Sequence, residues 1–209
     1  MKIKVCGLRD VDNMRQVAAL GVDYVGMILW QKSPRHVREE DLAMLSTLSL
    51  PEGTRRVGVF VDEEAATIVG YTNRLKLDVV QLHGKESVES IACLRNLLPT
   101  GVQIWKAVSI KDAGDMAVSD RYAGMVDAFV FDTKCQCVGG SGVQFDWSVL
   151  QDYHADVPFL LSGGIAPEDA DRVKAFSHPR CMGIDINSRF ETSPGMKDIT
   201  RIKAFIERL

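Results

Sequence analysis

Short apolar, β-branched runs recur along the chain, and most intervals between them carry apolar residues at helical spacing. The runs are KIKVC (2–6), DYVGMIL (23–29), RRVGVFV (55–61) and DVVQLH (78–83). VQIWKAV (102–108), DAFVFD (127–132), PFLLS (158–162) and CMGIDI (181–186) follow. Most are continuously apolar instead of alternating, the pattern of parallel strands covered on both faces.

The intervals read as amphipathic helices. DVDNMRQVAALG offers Asp10 or Asp12 as a cap and stops at Gly21. EEDLAMLSTL, DEEAATIVGYTNRL and KESVESIACLRNLLP repeat the pattern, the last ended by Pro99. APEDADRVKAF places Pro167 near a first turn, where a missing N–H costs nothing. GMKDITRIKAFIERL closes the chain. The stretch from Ser109 to Gly124 has the weakest pattern and reads as a loop or a short helix. Strict alternation with eight strands predicts an α/β fold, a single compact (β/α)₈ barrel spanning residues 1–209. An open doubly wound sheet is the alternative, and the missing G-x-G-x-x-G after the first run speaks against it.

Composition narrows the function classes. At 209 residues and 46% hydrophobic, the chain can core one domain. A formal charge of −3 gives no electrostatic case for nucleic acid. No signal-peptide pattern opens the chain, and no apolar run nears the roughly 20 residues of a membrane-spanning helix. Five cysteines without a framework spacing suit a reducing cytoplasm. KCQC is a C-x-C with no second pair, so no metal is expected. Local basic residues can still serve a small anionic ligand, bound by a monomer or homodimer.

In a barrel the chemistry belongs at the C-terminal ends of the strands. Polar groups accumulate there: Cys6, Arg35 in KSPRHV, Asp62, Gln81, His83, Asp132 and Asp185. Cys6 has two readings, a small core residue or a thiolate at the mouth of a site. LSGGIAPEDA sets Gly163 and Gly164 between the seventh run and a helix, where backbone N–H groups can approach an anion. DINSRFETSPG adds Asn187 and Ser188 at the start of a short extra helix, completing the recurrent phosphate site of this fold. GGSGVQ lacks the Lys-Ser/Thr of a nucleotide-binding loop.

KVCGLRD, GMILWQKSPRHV, VGVFVDE, VVQLHG, FDT…GGSGVQFDW, LSGGIAPEDA and GIDINSRFETSPGMKD stand in order at strand ends and span essentially the whole chain. Together they resemble the phosphoribosylanthranilate isomerases, compact barrels of tryptophan biosynthesis. The resemblance implies an Amadori rearrangement of N-(5′-phosphoribosyl)anthranilate to 1-(o-carboxyphenylamino)-1-deoxyribulose 5-phosphate, without metal or organic cofactor. It assigns the general base to Cys6, the general acid to Asp132 and the anthranilate carboxylate to Arg35. The phosphate goes to the loops of Gly163, Gly164, Asn187 and Ser188. Asp185 faces the ribose or the aromatic amine, or else is a strand-end residue bonded to backbone.

The chemistry asks Asp132 to hold a proton, hence a raised pKa, and Cys6 to be a thiolate, hence a lowered one. Gln81 and His83 read as supporting residues, and CQCVGGSG as a mobile loop with Cys135 and Cys137 as bystanders. Two positions depart from the family pattern. Arg189 stands where glycine is usual, which either strains the turn or adds a charge near the phosphate, and Ser141 replaces threonine. The related isomerase of histidine biosynthesis is a poorer match, since that family has Asp where this chain has Cys6. A silent sugar-phosphate-binding barrel would need no acid–base pair.

Overall fold

The computed structural model describes residues 1–133 and 146–209. Eight parallel strands close into a barrel: β1 (Lys2–Val5), β2 (Tyr24–Ile28), β3 (Arg55–Phe60), β4 (Val79–Leu82), β5 (Gln103–Ile110), β6 (Ala128–Thr133), β7 (Phe159–Ser162) and β8 (Cys181–Ile186). Each strand pairs with the next in sequence. The circle shuts where Lys2–Val5 of β1 pair with Gly183–Ile186 of β8. Closure removes every sheet edge and excludes the open doubly wound alternative.

The helices α1 (Val11–Ala18), α2 (Glu39–Thr47), α3 (Ala65–Leu75), α4 (Val88–Leu97), α5 (Ala117–Asp120), α6 (Ala170–Ala175) and α7 (Ile199–Arg208) cover the outside. Local chemistry starts several of them. Asp10 accepts from the Asn13 N–H at 2.8 Å, Ser87 from Ser90 at 3.2 Å and Asp198 from Arg201 at 3.0 Å, each satisfying a first-turn donor. The weak stretch after Ser109 resolves into the end of β5, a 3₁₀ turn (Ala113–Met116) and the single turn of α5. Between β6 and β7 the described residues hold one 3₁₀ segment, Trp147–Asp152, where the Arg172 guanidinium lies 3.7 Å from the Trp147 ring.

One element was not legible in the sequence. After β8 and a 3₁₀ turn (Ser188–Phe190), β9 (Glu191–Ser193) and β10 (Met196–Lys197) form a small antiparallel hairpin. Pro194–Gly195, with Gly195 at φ +85°, makes its turn. Helix α7 therefore starts at Ile199, later than the run GMKDITRIKAFIERL suggests.

Strand period two sorts the side chains. Tyr24, Val57, Val59, Val79, Trp105, Ala107, Ala128, Val130 and Leu160 fill the barrel with Cys6, and Tyr24 meets Trp105 edge-on at 4.8 Å. Their neighbours, such as Val5, Met27, Phe129, Phe131 and Ile184, face the helices. The same parity turns Lys4 and Gln81 inward, the residues two before Cys6 and His83.

Candidate active site

Cys6 follows β1 directly, and its N–H donates to the Ile186 carbonyl at 2.9 Å, so the ladder with β8 runs one residue further. Cys6 is buried, at 5% exposure. Opposite it stands Gly26 of β2, where a Cβ would lie 3.0 Å from Cys6 Sγ and 3.3 Å from Lys4 Cε. The Lys4 ammonium is fully buried and donates to Asp185 Oδ2 at 2.8 Å, and its charge acts on the Cys6 thiol. Burial works against the charge on Lys4, but Asp185 and Cys6 outweigh it and hold the ammonium above its ordinary range. Burial pushes the Asp185 carboxyl up, with Lys4 opposing.

The sequence leads one to expect a depressed Cys6 thiol, and the structure has the opposite direction. Burial pushes the thiol up, and the pull of Lys4 and Lys197 does not cancel it. A raised pKa means less thiolate at any given pH. The alkylation rate of Cys6 by iodoacetamide is therefore expected to keep climbing above pH about 8.5, the ordinary thiol value. Peptide mass spectrometry of Cys6 across pH 6–10 checks this. A plateau reached by about pH 8 would mean that the cations win.

Asp132 comes from β6, three strands round from β1 through β8 and β7. His83 Nε2 lies 3.7 Å from Asp132 Oδ2, while the Gln81 amide nitrogen lies 3.3 Å from His83 Nδ1. If that nitrogen donates, the His83 proton sits on Nε2, facing Asp132. Gln81 and Asp185 are each buried, with one oxygen (Oε1 and Oδ1) lacking a hydrogen-bond partner among the described residues. An unpaired buried acceptor is costly unless a ligand supplies the donor.

These groups share one cavity of about 180 Å³, lined by Cys6, Gln81, His83, Asp132 and Asp185, and by Gly163, Gly164, Asn187 and Ser188. Gly163 and Gly164 both take positive φ, +98° and +69°, a conformation other residues enter only with strain. Asp169 fixes the turn that follows by accepting from the Ala166 N–H at 2.8 Å. Arg189 is exposed, and among the described residues only Asp62 and Lys76 have positive φ without being glycine. The 3₁₀ turn thus accommodates Arg189 without left-handed backbone strain.

Arg35 stands beside the cavity instead of in its wall, against Gly7. A Cβ on Gly7 (φ +78°) would lie 2.9 Å from Arg35 Cδ and 2.7 Å from Asn187 Oδ1, so only glycine fits there. Arg35 is held by a residue that sequence reasoning missed. Its Nε and Nη2 donate to Glu191 at 2.7–3.0 Å. Glu191 also accepts from Lys197 Nζ at 2.6 Å and from the Gly195 N–H at 3.1 Å. Burial alone would raise the Glu191 carboxyl, but Arg35 and Lys197 hold it below the ordinary range. The available signal was the charge pair flanking the turn in FETSPGMK. Likewise, the lysine in the middle of KIKVC signalled a buried cation.

Asp62 lies outside the cavity lining. Its Oδ1 accepts from the Lys85 N–H at 2.5 Å and pins the loop after β4. Cys135, Cys137 and Ser141 lie outside the described residues. Among the described residues no helix is long and apolar enough to cross a membrane, and no three His, Cys, Asp or Glu side chains cluster as for a metal.

The comparisons with known proteins agree with this geometry. A family model, N-(5′-phosphoribosyl)anthranilate (PRA) isomerase, matches residues 3–208. The chain is 43% identical to the N-(5′-phosphoribosyl)anthranilate isomerase of Parabacteroides distasonis, over 100% of this chain and 93% of that protein. It resembles the crystal structure of phosphoribosyl anthranilate isomerase from Thermotoga maritima with TM-score 0.84 and 31% identity, over 100% of this chain and 98% of the other. It also resembles such an isomerase in complex with reduced 1-(o-carboxyphenylamino)-1-deoxyribulose 5-phosphate, with TM-score 0.82 and 30% identity, over 100% and 97% of the two chains. With full-length sequence and structural likeness, and the strand-end residues gathered at one mouth, the chain belongs to the N-(5′-phosphoribosyl)anthranilate isomerase family.

Proposed function

We propose that the cavity isomerises N-(5′-phosphoribosyl)anthranilate to 1-(o-carboxyphenylamino)-1-deoxyribulose 5-phosphate, with Asp132 as general acid and Cys6 as general base. The observation that carries this reading is the placement of both groups in the wall of one cavity that also holds the Gly163–Gly164 turn.

Asp132 gives its proton to the ring oxygen as the bond from that oxygen to C1 breaks. The nitrogen lone pair forms a protonated Schiff base at C1. Cys6 then takes the proton from C2, the electron pair forms C1=C2, and the nitrogen becomes neutral. The resulting enolamine tautomerises to the C2 ketone. Each of the two groups is worth roughly 10²–10⁴-fold.

The working form has the proton on Asp132 and the charge on Cys6. Lys4 supplies a cation for the thiolate, and the Schiff base adds a second one when the thiolate acts. That accounts for a base whose resting form is the thiol. N–H groups of the Gly163–Gly164 turn, with Asn187 and Ser188, receive the phosphate. Arg35 receives the anthranilate carboxylate through its planar fork. The open oxygens of Gln81 and Asp185 accept from ribose hydroxyls or the amine, which favours the ligand-facing reading of Asp185.

The test is a fluorescence assay with freshly made phosphoribosylanthranilate, with chelator present and no metal added. Rapid loss of the substrate signal, with the ketose product identified by mass and chromatography, is the expected result. Phosphate-dependent stabilisation of a folded protein without turnover would leave only a sugar-phosphate-binding barrel.

A further inference from the structure

Arg35, Glu191 and Lys197 form a charge cluster that is one anion short. Lys197 Nζ is fully buried, at 0% side-chain exposure, and has three acceptors: Glu191 Oε1 at 2.6 Å, Asn187 Oδ1 at 2.7 Å and the Asn187 carbonyl at 3.4 Å. Three acceptors take the three N–H groups of an ammonium. The Glu191 carboxylate, 5% exposed, spends both oxygens on Arg35 and Lys197. With Cys6 in its thiol form, two cations and one anion leave a net charge of +1.

The neighbouring ion pair, Lys4 with Asp185, is already balanced. Arg9, at the rim of the hairpin, donates instead to the Pro34 carbonyl at 3.3 Å. Among the described residues Arg35 Nη1 has no hydrogen-bond partner. Glu191 occupies the Nε–Nη2 edge and leaves the Nη1 end of the fork open.

We infer that Lys197, acting through Glu191, is a specificity-determining positioning residue: it balances Glu191 so that Arg35 can hold a second carboxylate, that of the substrate. Two carboxylates on one guanidinium would otherwise leave a net negative charge in a half-buried site, which is costly. With Lys197 present, the ligand carboxylate brings the cluster to neutrality. Lys197 also bonds Asn187, so the carboxylate end of the site is tied to the loop proposed for the phosphate. This inference rests on the isomerase reading, since it takes its ligand from there.

The test compares two probes by calorimetry. One is reduced 1-(o-carboxyphenylamino)-1-deoxyribulose 5-phosphate, and the other is its phenylamino counterpart without the carboxylate. The ratio of the two Kd values in one sample cancels any general weakening of the fold. Lys197→Met is expected to cut the preference for the carboxylated probe by roughly 10–100-fold, the range for a hydrogen bond to a charged group. The double variant Lys197→Met/Glu191→Gln again carries a net +1 on Arg35 and is expected to recover the preference to within about threefold of wild type.

Lys197→Gln carries the same expectation as the methionine variant, should that one not fold. A single variant that keeps the preference overturns the inference. So does a double variant no better than the single, which would make the cluster mere scaffolding. Wild type that binds neither probe overturns the isomerase reading, and with it the ligand assumed here.

Discussion

Cys6→Ser is expected to lower kcat by roughly 10²–10⁴-fold while leaving KM within a few-fold of wild type. The substitution keeps the shape of the side chain and exchanges sulfur for a hydroxyl that stays protonated throughout the working range. Proton removal from C2 then has no base. Binding should survive, because the phosphate and carboxylate contacts proposed above lie on other residues. The buried hydroxyl has Lys4 beside it as a partner, so the fold should hold as well. The measurement is steady-state turnover of phosphoribosylanthranilate, with circular dichroism to confirm the fold. A serine variant with more than about a tenth of wild-type kcat would return Cys6 to the role of a core residue.

Asp132→Asn should have a loss of the same order for a different reason. The amide is isosteric and still hydrogen-bonds, but it has no acidic proton for the ring oxygen, so ring opening stalls. The two variants differ in their pH profiles. Wild-type kcat/KM should fall on the alkaline side as the acid loses its proton, and that limb should vanish in the asparagine variant. In the serine variant the rise that depends on the thiolate should vanish instead. An asparagine variant with wild-type kcat and an unchanged alkaline limb would remove Asp132 from the mechanism. His83, 3.7 Å from Asp132, would then be the next group to examine.

Much of the fold was legible because the parallel barrel writes itself locally. Continuous apolar runs such as VVQL and FLLS mark strands buried on both faces, and the cap Asp10 starts its helix through a neighbour three residues away. The site was partly legible for the same reason. Strand period two puts Cys6, Asp132 and Asp185 on the inner face at the ends of their strands. Gly163 and Gly164 mark a turn that other residues would strain.

The β9–β10 hairpin was not legible. Its two strands are only three and two residues long, too short for a pattern, and PG alone reads as one more turn. What the hairpin delivers was not legible at all. Glu191 meets Arg35 across 156 positions of the chain, a contact that no local signal announces.

By itself, then, the sequence determined the order of elements and the chemical types gathered at the barrel mouth, because each depends on signals spaced over a few residues. The tertiary structure decided which charges meet. Closure of β1 on β8 brings Lys4 to Asp185, 181 positions away, and the hairpin brings Lys197 and Glu191 to Arg35. Only the structure decided the direction of the Cys6 thiol, since that depends on how far burial outweighs two nearby ammonium groups. Desolvation and Coulomb attraction depend on distances and exclusion of water in the folded barrel, quantities that arise only when distant segments pack together.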